Sequence, residues 1–291
     1  MLLYDRSCYP RERDLPCLRH SNPVDLAAVK SRQQATWASG DYSAVASLIV
    51  PVAERLVDLA DLRAGWRVLD VATGSGNAAL AAARIGCDVV GIDYVDSLLE
   101  RGRERAAAEQ LPVDLRLGDA EDLEFPDDSF DAVLSVFGSM FAPDHVRTAD
   151  EIARVTRPGG TIGLASWTPD GFIGGLFRIV GRFVPPLAGV PSPALWGTAD
   201  HLESLFGQDV RWTHRTETFT FRFSSAEAFA HFFLVHYGPT LKTLEAVGDR
   251  ALEFTAAVTE HARAWNRLEG TGPVAIPATY LASVGVREAT L

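Results

Sequence analysis

Val68-Leu69-Asp70-Val71-Ala72-Thr73-Gly74-Ser75-Gly76-Asn77-Ala78-Ala79-Leu80 passes from a short apolar run through a glycine turn into an alanine-rich segment. Strand, turn and helix in that order form the layout of a nucleotide-type site at the carboxyl edge of a doubly wound sheet. Gly74 and Gly76 can take positive φ and present bare backbone, so a ligand can lie against the turn where a Cβ would collide with it. The spacing Gly74 to Ala79 also fits a dinucleotide fingerprint. Asp70 separates the two readings. A carboxylate at the end of the first strand would meet a pyrophosphate with like charge, at a cost of about 4 kcal/mol for a ~4 Å contact at intermediate dielectric. It suits a ligand whose reactive end is cationic.

Three later segments complete a pattern. Asp93 follows the second apolar run by the spacing expected of a ribose-binding carboxylate. Gly118-Asp119-Ala120 follows the third. Asp150-Glu151-Ile152-Ala153-Arg154-Val155-Thr156-Arg157-Pro158-Gly159-Gly160 precedes the fifth. Together these residues resemble the class I S-adenosylmethionine-dependent methyltransferases, in the branch of quinone-biosynthesis and small-molecule enzymes. The likeness covers residues 66 to 168 and thins outside them. It implies a Rossmann-like α/β fold with a doubly wound seven-stranded sheet, order 3-2-1-4-5-7-6, strand seven antiparallel, and a helical cap between strands six and seven. S-adenosyl-L-methionine is the implied cofactor, its ammonium and sulfonium being the cations that Asp70 favours. By resemblance, Asp93 accepts the ribose hydroxyls, Asp119 the adenine amino group, the Ala120 amide donates to the ring and Leu98 packs on its face. Thr73, Gly74, Gly76, Tyr94 and Ser135 complete the implied cofactor set.

The 291 residues carry a formal net charge of −11, with 27 basic and 38 acidic side chains, which does not favour nucleic acid or an anionic membrane as a partner. The most apolar late stretch, Gly171 to Trp196, is interrupted by Arg178, Arg182 and four prolines, too broken to span a bilayer. Charges from Asp5 to Asp14 interrupt the N-terminus before any signal-peptide core develops. A cytoplasmic protein is the expectation. Cys8, Cys17 and Cys87 are few and odd in number, as where thiols stay reduced. Cys8, Cys17 and His20 lack a fourth ligand, and no metal site is expected.

Residues 1–22 read as a disordered tail, 23–223 and 270–291 as the core with N-terminal lid helices, and 224–269 as the cap insertion. A helix from Val24 ends near Gly40, and a second, Tyr42 to Ala60, is kinked or split by Pro51. Trp37 and Tyr42 on these helices either cover the methionine end of the ligand or pack on the core. Ser97 and Glu100 read as a capping box. The fourth strand delivers Ser135, Phe137, Gly138 and Ser139 beside the methyl group; where many relatives carry a histidine pair, this chain has Met140 and Phe141. His145 reads as a solvated first-turn residue.

The cap holds Phe229, Phe232, Phe233 and Tyr237 in one short helical segment, above the edge where acceptors sit. Phe141, Trp167, Phe172 and Phe233 are the expected acceptor contacts, and His231, His236 and Tyr237 the candidate bases, with His236 and Tyr237 preferred. The function expected is O-, C- or N-methylation of a small, largely apolar or aromatic acceptor, by a monomer or homodimer. Three alternatives stay open: a non-methylating reaction such as cyclisation on the same fold, an NAD(P)-dependent oxidoreductase using Gly74 to Ala79, and a regulatory binding role.

Overall fold

The computed structural model describes residues 25–270 and 272–289. The expected tail, Val24 and the Cys8, Cys17, His20 group lie outside the described residues.

Seven strands form one sheet in the order β3-β2-β1-β4-β5-β7-β6. β1 (Arg67–Val71) lies parallel between β2 (Asp88–Asp93) and β4 (Phe130–Val136), with Val68 opposite both Val89 and Ala132. A central parallel strand is covered on both faces, which is why Val68, Leu69 and Val71 run on without polar alternation. β3 (Val113–Leu117) forms one edge. β5 (Thr156–Trp167) pairs parallel with β4, and β7 (Val274–Arg287) runs antiparallel to both β5 and the opposite edge strand β6 (Val210–Phe223). β5 begins earlier than the Pro158-Gly159-Gly160 turn predicts, because the register shifts between Phe130 and Ala132 and absorbs the turn inside the ladder.

Before β1 come three helices, α1 (Leu26–Trp37), α2 (Tyr42–Leu48) and α3 (Val50–Leu59). Pro51 splits the expected long helix: it sits in the first turn of α3, where its missing N–H has no intrahelical partner to lose. α4 (Asn77–Arg84) follows the glycine turn and packs closely on the sheet through Ala78, Ala79 and Ala82. α5 (Asp96–Ala108) has no capping box. Its N-cap is Val95, so Ser97 already lies inside the first turn, and the Val95 amide donates to Asp93 Oδ1 (2.8 Å). Three helices follow on the far half of the chain, α6 (His145–Val155), α7 (Phe172–Phe183) and α8 (Ala199–Phe206).

Between β6 and β7 the chain makes the cap: α9 (Ala226–His236), α10 (Gly238–Ala246) and α11 (Ala251–Ala264). The corner between α9 and α10 presses on the end of α1. A Cβ at Gly238 would come within 2.2 Å of the Thr36 carbonyl oxygen, so no other residue fits without moving one of the two helices. That contact joins residues 202 positions apart and sets the cap over the carboxyl edge of the sheet. No helix among the described residues is long and apolar enough to cross a membrane.

Candidate functional site

The glycine turn is held from beneath by two carboxylates. Asp70 Oδ2 accepts from Thr73 Oγ1 (2.6 Å) and from the Ala79 amide (2.9 Å), tying the end of β1 to the first turn of α4. Asp93 Oδ2 accepts from the Gly74 amide (2.9 Å). Gly74 has a φ of 54°, and a Cβ there would meet only Tyr42, across a cavity. Behind the turn, Arg105 donates to the Ser75 carbonyl (2.6 Å) and to Asn77 Oδ1 (2.8 Å).

Asp70 and Asp93 are 1% and 7% exposed. Burial pushes Asp70 up to about 7 against the pull of its two hydrogen bonds, with the Asp93 charge adding to the rise. Burial likewise raises Asp93 to about 6. Neither has a basic partner within salt-bridge distance among the described residues. Two buried acids lacking a counter-ion are complementary to a cationic ligand, which would relieve the desolvation that raises them.

They stand on a cavity of about 830 Å³, open solvent included, between the carboxyl edge of the sheet and the N-terminal helices. Thr73, Gly74, Tyr94, Leu98, Asp119 and Ala120 line it, as do Trp37, Tyr42 and Phe141. Sequence reasoning placed these at the cofactor with the exception of Phe141, which it gave to the acceptor, and for Trp37 and Tyr42 it left packing on the core open. Two expected members are elsewhere. Gly76 is in the turn with a φ of 85°, which is what calls for glycine; a Cβ there would make only ordinary contacts with Leu80 and Gly102 behind the turn, away from the cavity. Ser135 is spent on bracing: its Oγ donates to the Val71 carbonyl (2.7 Å) and accepts from the Ser139 amide (2.9 Å).

Phe137 and Gly138, expected at the exit of the fourth strand, also line the cavity, as do Lys30, Asn77 and Glu121, which were missed. Lys30 Nζ lies 2.5 Å from Asp119 Oδ2 and 2.6 Å from Glu121 Oε2. Burial alone would lower this ammonium, yet the hydrogen bonds to the two carboxylates carry it above its ordinary value. Gln34 Nε2, one turn along α1, donates to the Tyr94 carbonyl (2.6 Å). α1 is thereby fastened across the third-strand end of the cavity. One signal pointed to Lys30: it precedes Trp37 by seven residues, two helical turns, and so shares its face.

A second chamber, about 300 Å³ with open solvent included, adjoins the first. The sheet contributes Trp167 and Phe221, α7 contributes Ile173, α2 contributes Tyr42 and Val45, and the cap contributes Phe233 and Tyr237. Tyr42, Ile49 and Phe141 line both chambers and form the partition. Around it Trp37 packs edge-on against Tyr42, Phe141 and Tyr237, at centroid distances of 5.3, 4.7 and 5.6 Å.

Of the expected acceptor contacts, Phe141, Trp167 and Phe233 line this chamber and Phe172 does not. Phe172 is fully buried, stacked on His261 at 4.7 Å, because the loop after β5 turns it into the α7–α11 interface. Tyr237 lines the chamber; His236 does not. The last turn of α9 points His236 at Phe232 (4.7 Å) on the other side of the helix, and His231 is exposed. Met140 is buried outside both chambers. His145 is not solvated: it is 4% exposed, its Nδ1 lies 2.9 Å from His201 Nε2, and burial followed by the neighbouring imidazole lowers it to about 4.

Residues 69–164 match the profile described as a methyltransferase domain. An uncharacterized protein of Mycobacterium tuberculosis strain H37Rv is 42% identical over 223 residues, 75% of this chain and 81% of that one. A demethylmenaquinone methyltransferase of Deinococcus radiodurans is 39% identical over 127 residues, 42% of this chain and 53% of that one. Among solved structures, the YcgJ protein of Bacillus subtilis shares the fold with a TM-score of 0.58 at 19% identity, over 82% of this chain and 98% of that one.

Proposed function

Since the chain belongs to the class I S-adenosylmethionine-dependent methyltransferases, we propose that the larger cavity holds S-adenosylmethionine and the smaller one the methyl acceptor, a small and largely apolar molecule. The observation that carries this reading is the shared wall. Two chambers of different chemistry, one floored by unpaired carboxylates and one lined by aromatic and aliphatic side chains, meet at Tyr42, Ile49 and Phe141.

S-adenosylmethionine supplies, when bound, a methyl group on a sulfonium that a nucleophile can displace. The chain's own residues bind, align and dehydrate. Asp70 and Asp93 set negative charge beneath the cation, and Asp93 also stands where the ribose hydroxyls would be accepted. Asp119 and Ala120, with Leu98, frame the adenine end. Trp37, Tyr42 and Phe141 exclude water from the meeting point, and alignment of two reactants in a dry site accounts for a large part of the acceleration available to such a displacement. The acceptor of the Deinococcus enzyme does not transfer with a match over 42% of this chain.

Calorimetry of the purified chain should show micromolar binding of S-adenosylmethionine and none of NAD(H), with S-adenosylhomocysteine released when an accepted compound is added. Tighter binding of a dinucleotide overturns the cofactor assignment. Product formed without S-adenosylhomocysteine would favour the non-methylating alternative.

A further inference from the structure

Of the twelve residues of α1 only Val29 is fully buried, with Trp37 half-buried at the end of the helix. α3, by contrast, buries Val52, Ala53, Leu56 and Val57. A helix with so little apolar burial is kept in place by its polar contacts, and it belongs to the part of a fold that opens most easily. Across the cavity those contacts come from two side chains: Lys30, 2.5 Å from Asp119 Oδ2 and 2.6 Å from Glu121 Oε2, and Gln34, which donates to the Tyr94 carbonyl (2.6 Å). Among the described residues, Lys30 is the one basic side chain that lines the larger cavity, against the four carboxylates of Asp70, Asp93, Asp119 and Glu121.

The other end of α1 is locked to the cap. The turn after α1 and the α9–α10 corner interlock at two glycines. A Cβ at Gly238 would lie 2.2 Å from the Thr36 carbonyl oxygen, and a Cβ at Gly40 would lie 2.9 Å from the His236 carbonyl oxygen. Trp37, just before that turn, packs edge-on against Tyr237 in the corner (5.6 Å). Close-packed parts transmit displacement, so α1 and the corner shift together.

We propose that Lys30 is a positioning residue, the ionic latch of this body: it holds α1 closed across the third-strand end of the larger cavity, and its release from Asp119 and Glu121 frees α1 and the cap corner in one movement that admits the cofactor and lets its product leave. This rests on the cofactor reading above. The latch can stay shut over a bound ligand. Asp119 accepts from Lys30 through Oδ2 and from the Glu121 amide through Oδ1 (2.9 Å), and a carboxylate has about four acceptor sites, so an adenine amino group can be accepted as well. A latch closed in both the free and the loaded protein sets rates and not affinity. Ligand enters and leaves only through the open form, so a smaller open fraction slows both steps by the same factor. A residue that merely contacts the ligand behaves differently: its loss speeds departure and leaves entry alone.

The test uses the full chain with S-adenosylhomocysteine as the probe. Its ammonium and carboxylate cancel, so removing a cation from the cavity has little effect on long-range attraction. Association and dissociation are followed by stopped-flow tryptophan fluorescence, and affinity by calorimetry. Lys30→Met should raise both rate constants at least fivefold while Kd changes less than threefold, and Lys30→Arg, which keeps the charge, should bring both rates back to within threefold of the wild type. In the ligand-free protein, hydrogen exchange in Lys30→Met should quicken at the Ala38 and Ser39 amides of the turn and at the Tyr237 and Leu241 amides of the corner, with the amides of α3 unchanged as evidence that the variant is folded. Wild-type rates in Lys30→Met overturn the proposal and leave the cofactor reading intact. So does a rise in dissociation alone, which makes Lys30 a plain ligand contact, or a Lys30→Arg that behaves as Lys30→Met. Faster exchange in the turn with full protection in the corner means that the cap is not carried along, and overturns it too. If the wild type does not bind S-adenosylhomocysteine at all, the cofactor reading has failed and this proposal falls with it.

Discussion

The two chambers are built in opposite ways. The cofactor chamber takes most of its polar groups from residues 70–121, and its turn is framed by hydrogen bonds and ion pairs, some close along the chain, as in Asp70 with Thr73 and Ala79, and some distant, as in Asp93 with Gly74 and Lys30 with Asp119. The acceptor chamber has no such local frame. Its walls come from α2, β5, β6, α7 and the cap, and its corner, Tyr42 with Tyr237 at a centroid distance of 6.3 Å, joins positions nearly 200 residues apart. The difference teaches that charge recognition is held by directional hydrogen bonds to named groups, whereas apolar recognition is a by-product of how the core closes. Damage to the first chamber should therefore appear as lost affinity, and damage to the second as lost stability or turnover.

The largest expected effect breaks the acceptor side. Phe233 is 1% exposed and packs on Phe229 and Phe221. Phe233→Ala should cost about 3–5 kcal/mol of stability, read by denaturant unfolding, while protein folded at low temperature binds S-adenosylmethionine as the wild type does. Equal loss of cofactor affinity would show that the chambers are energetically one.

Next comes the cofactor side. Asp93→Ala strips an acceptor from the Gly74 and Val95 amides and from the ribose hydroxyls, each charge-assisted bond contributing about 1.5–3 kcal/mol. S-adenosylmethionine affinity should fall at least tenfold by calorimetry. A folded variant with unchanged affinity would reduce Asp93 to a brace for the turn.

A smaller effect sharpens the contrast through pH. Asp70 and Asp93 are raised in the fold to about 7 and about 6, above the ~3.9 of an unfolded aspartate. Their contribution to folding stability is therefore fullest below about pH 4 and is lost as pH rises through 6 to 7. Affinity for a cation runs the other way. Binding of S-adenosylmethionine should strengthen several-fold between pH 5.5 and 7.5, and a flat titration would mean that the two carboxylates carry no charge toward the ligand. The smallest effect is expected at His236: packed on Phe232 and lining neither chamber, His236→Ala should change stability by about 0.5 kcal/mol or less and leave kcat/KM unchanged.

Local readings held best where one residue determines the next. The strand β1, the turn, β2 ending at Asp93 and β3 ending before Gly118-Asp119-Ala120 all followed from apolar runs and glycine, because a backbone hydrogen bond or a positive φ has to be satisfied within a few residues. Ser97 and Glu100 show the limit of the same logic. Their spacing fits a capping box, but the chain leaves β2 so abruptly that α5 starts one residue ahead of Ser97 and Asp93 takes the amide instead. His145 failed for a different reason: a first-turn position says nothing of α8, which brings His201 over it.

By itself, then, the sequence determined the glycine turn and the carboxylates at the strand ends, since these depend on backbone conformation and on charges close along the chain, while the order of the sheet was implied by the family resemblance. Only the tertiary structure decided that Lys30 closes on Asp119, that Ser135 and Gly76 brace the turn without lining the larger cavity, and that Tyr237, not His236, lines the smaller one. Periodicity told that α9 is aromatic on one face. Which of its two terminal residues lines the smaller chamber depended on the angle at which the α9–α10 corner locks against α1, where Gly238 approaches Thr36 closely, a contact with no trace in the local pattern.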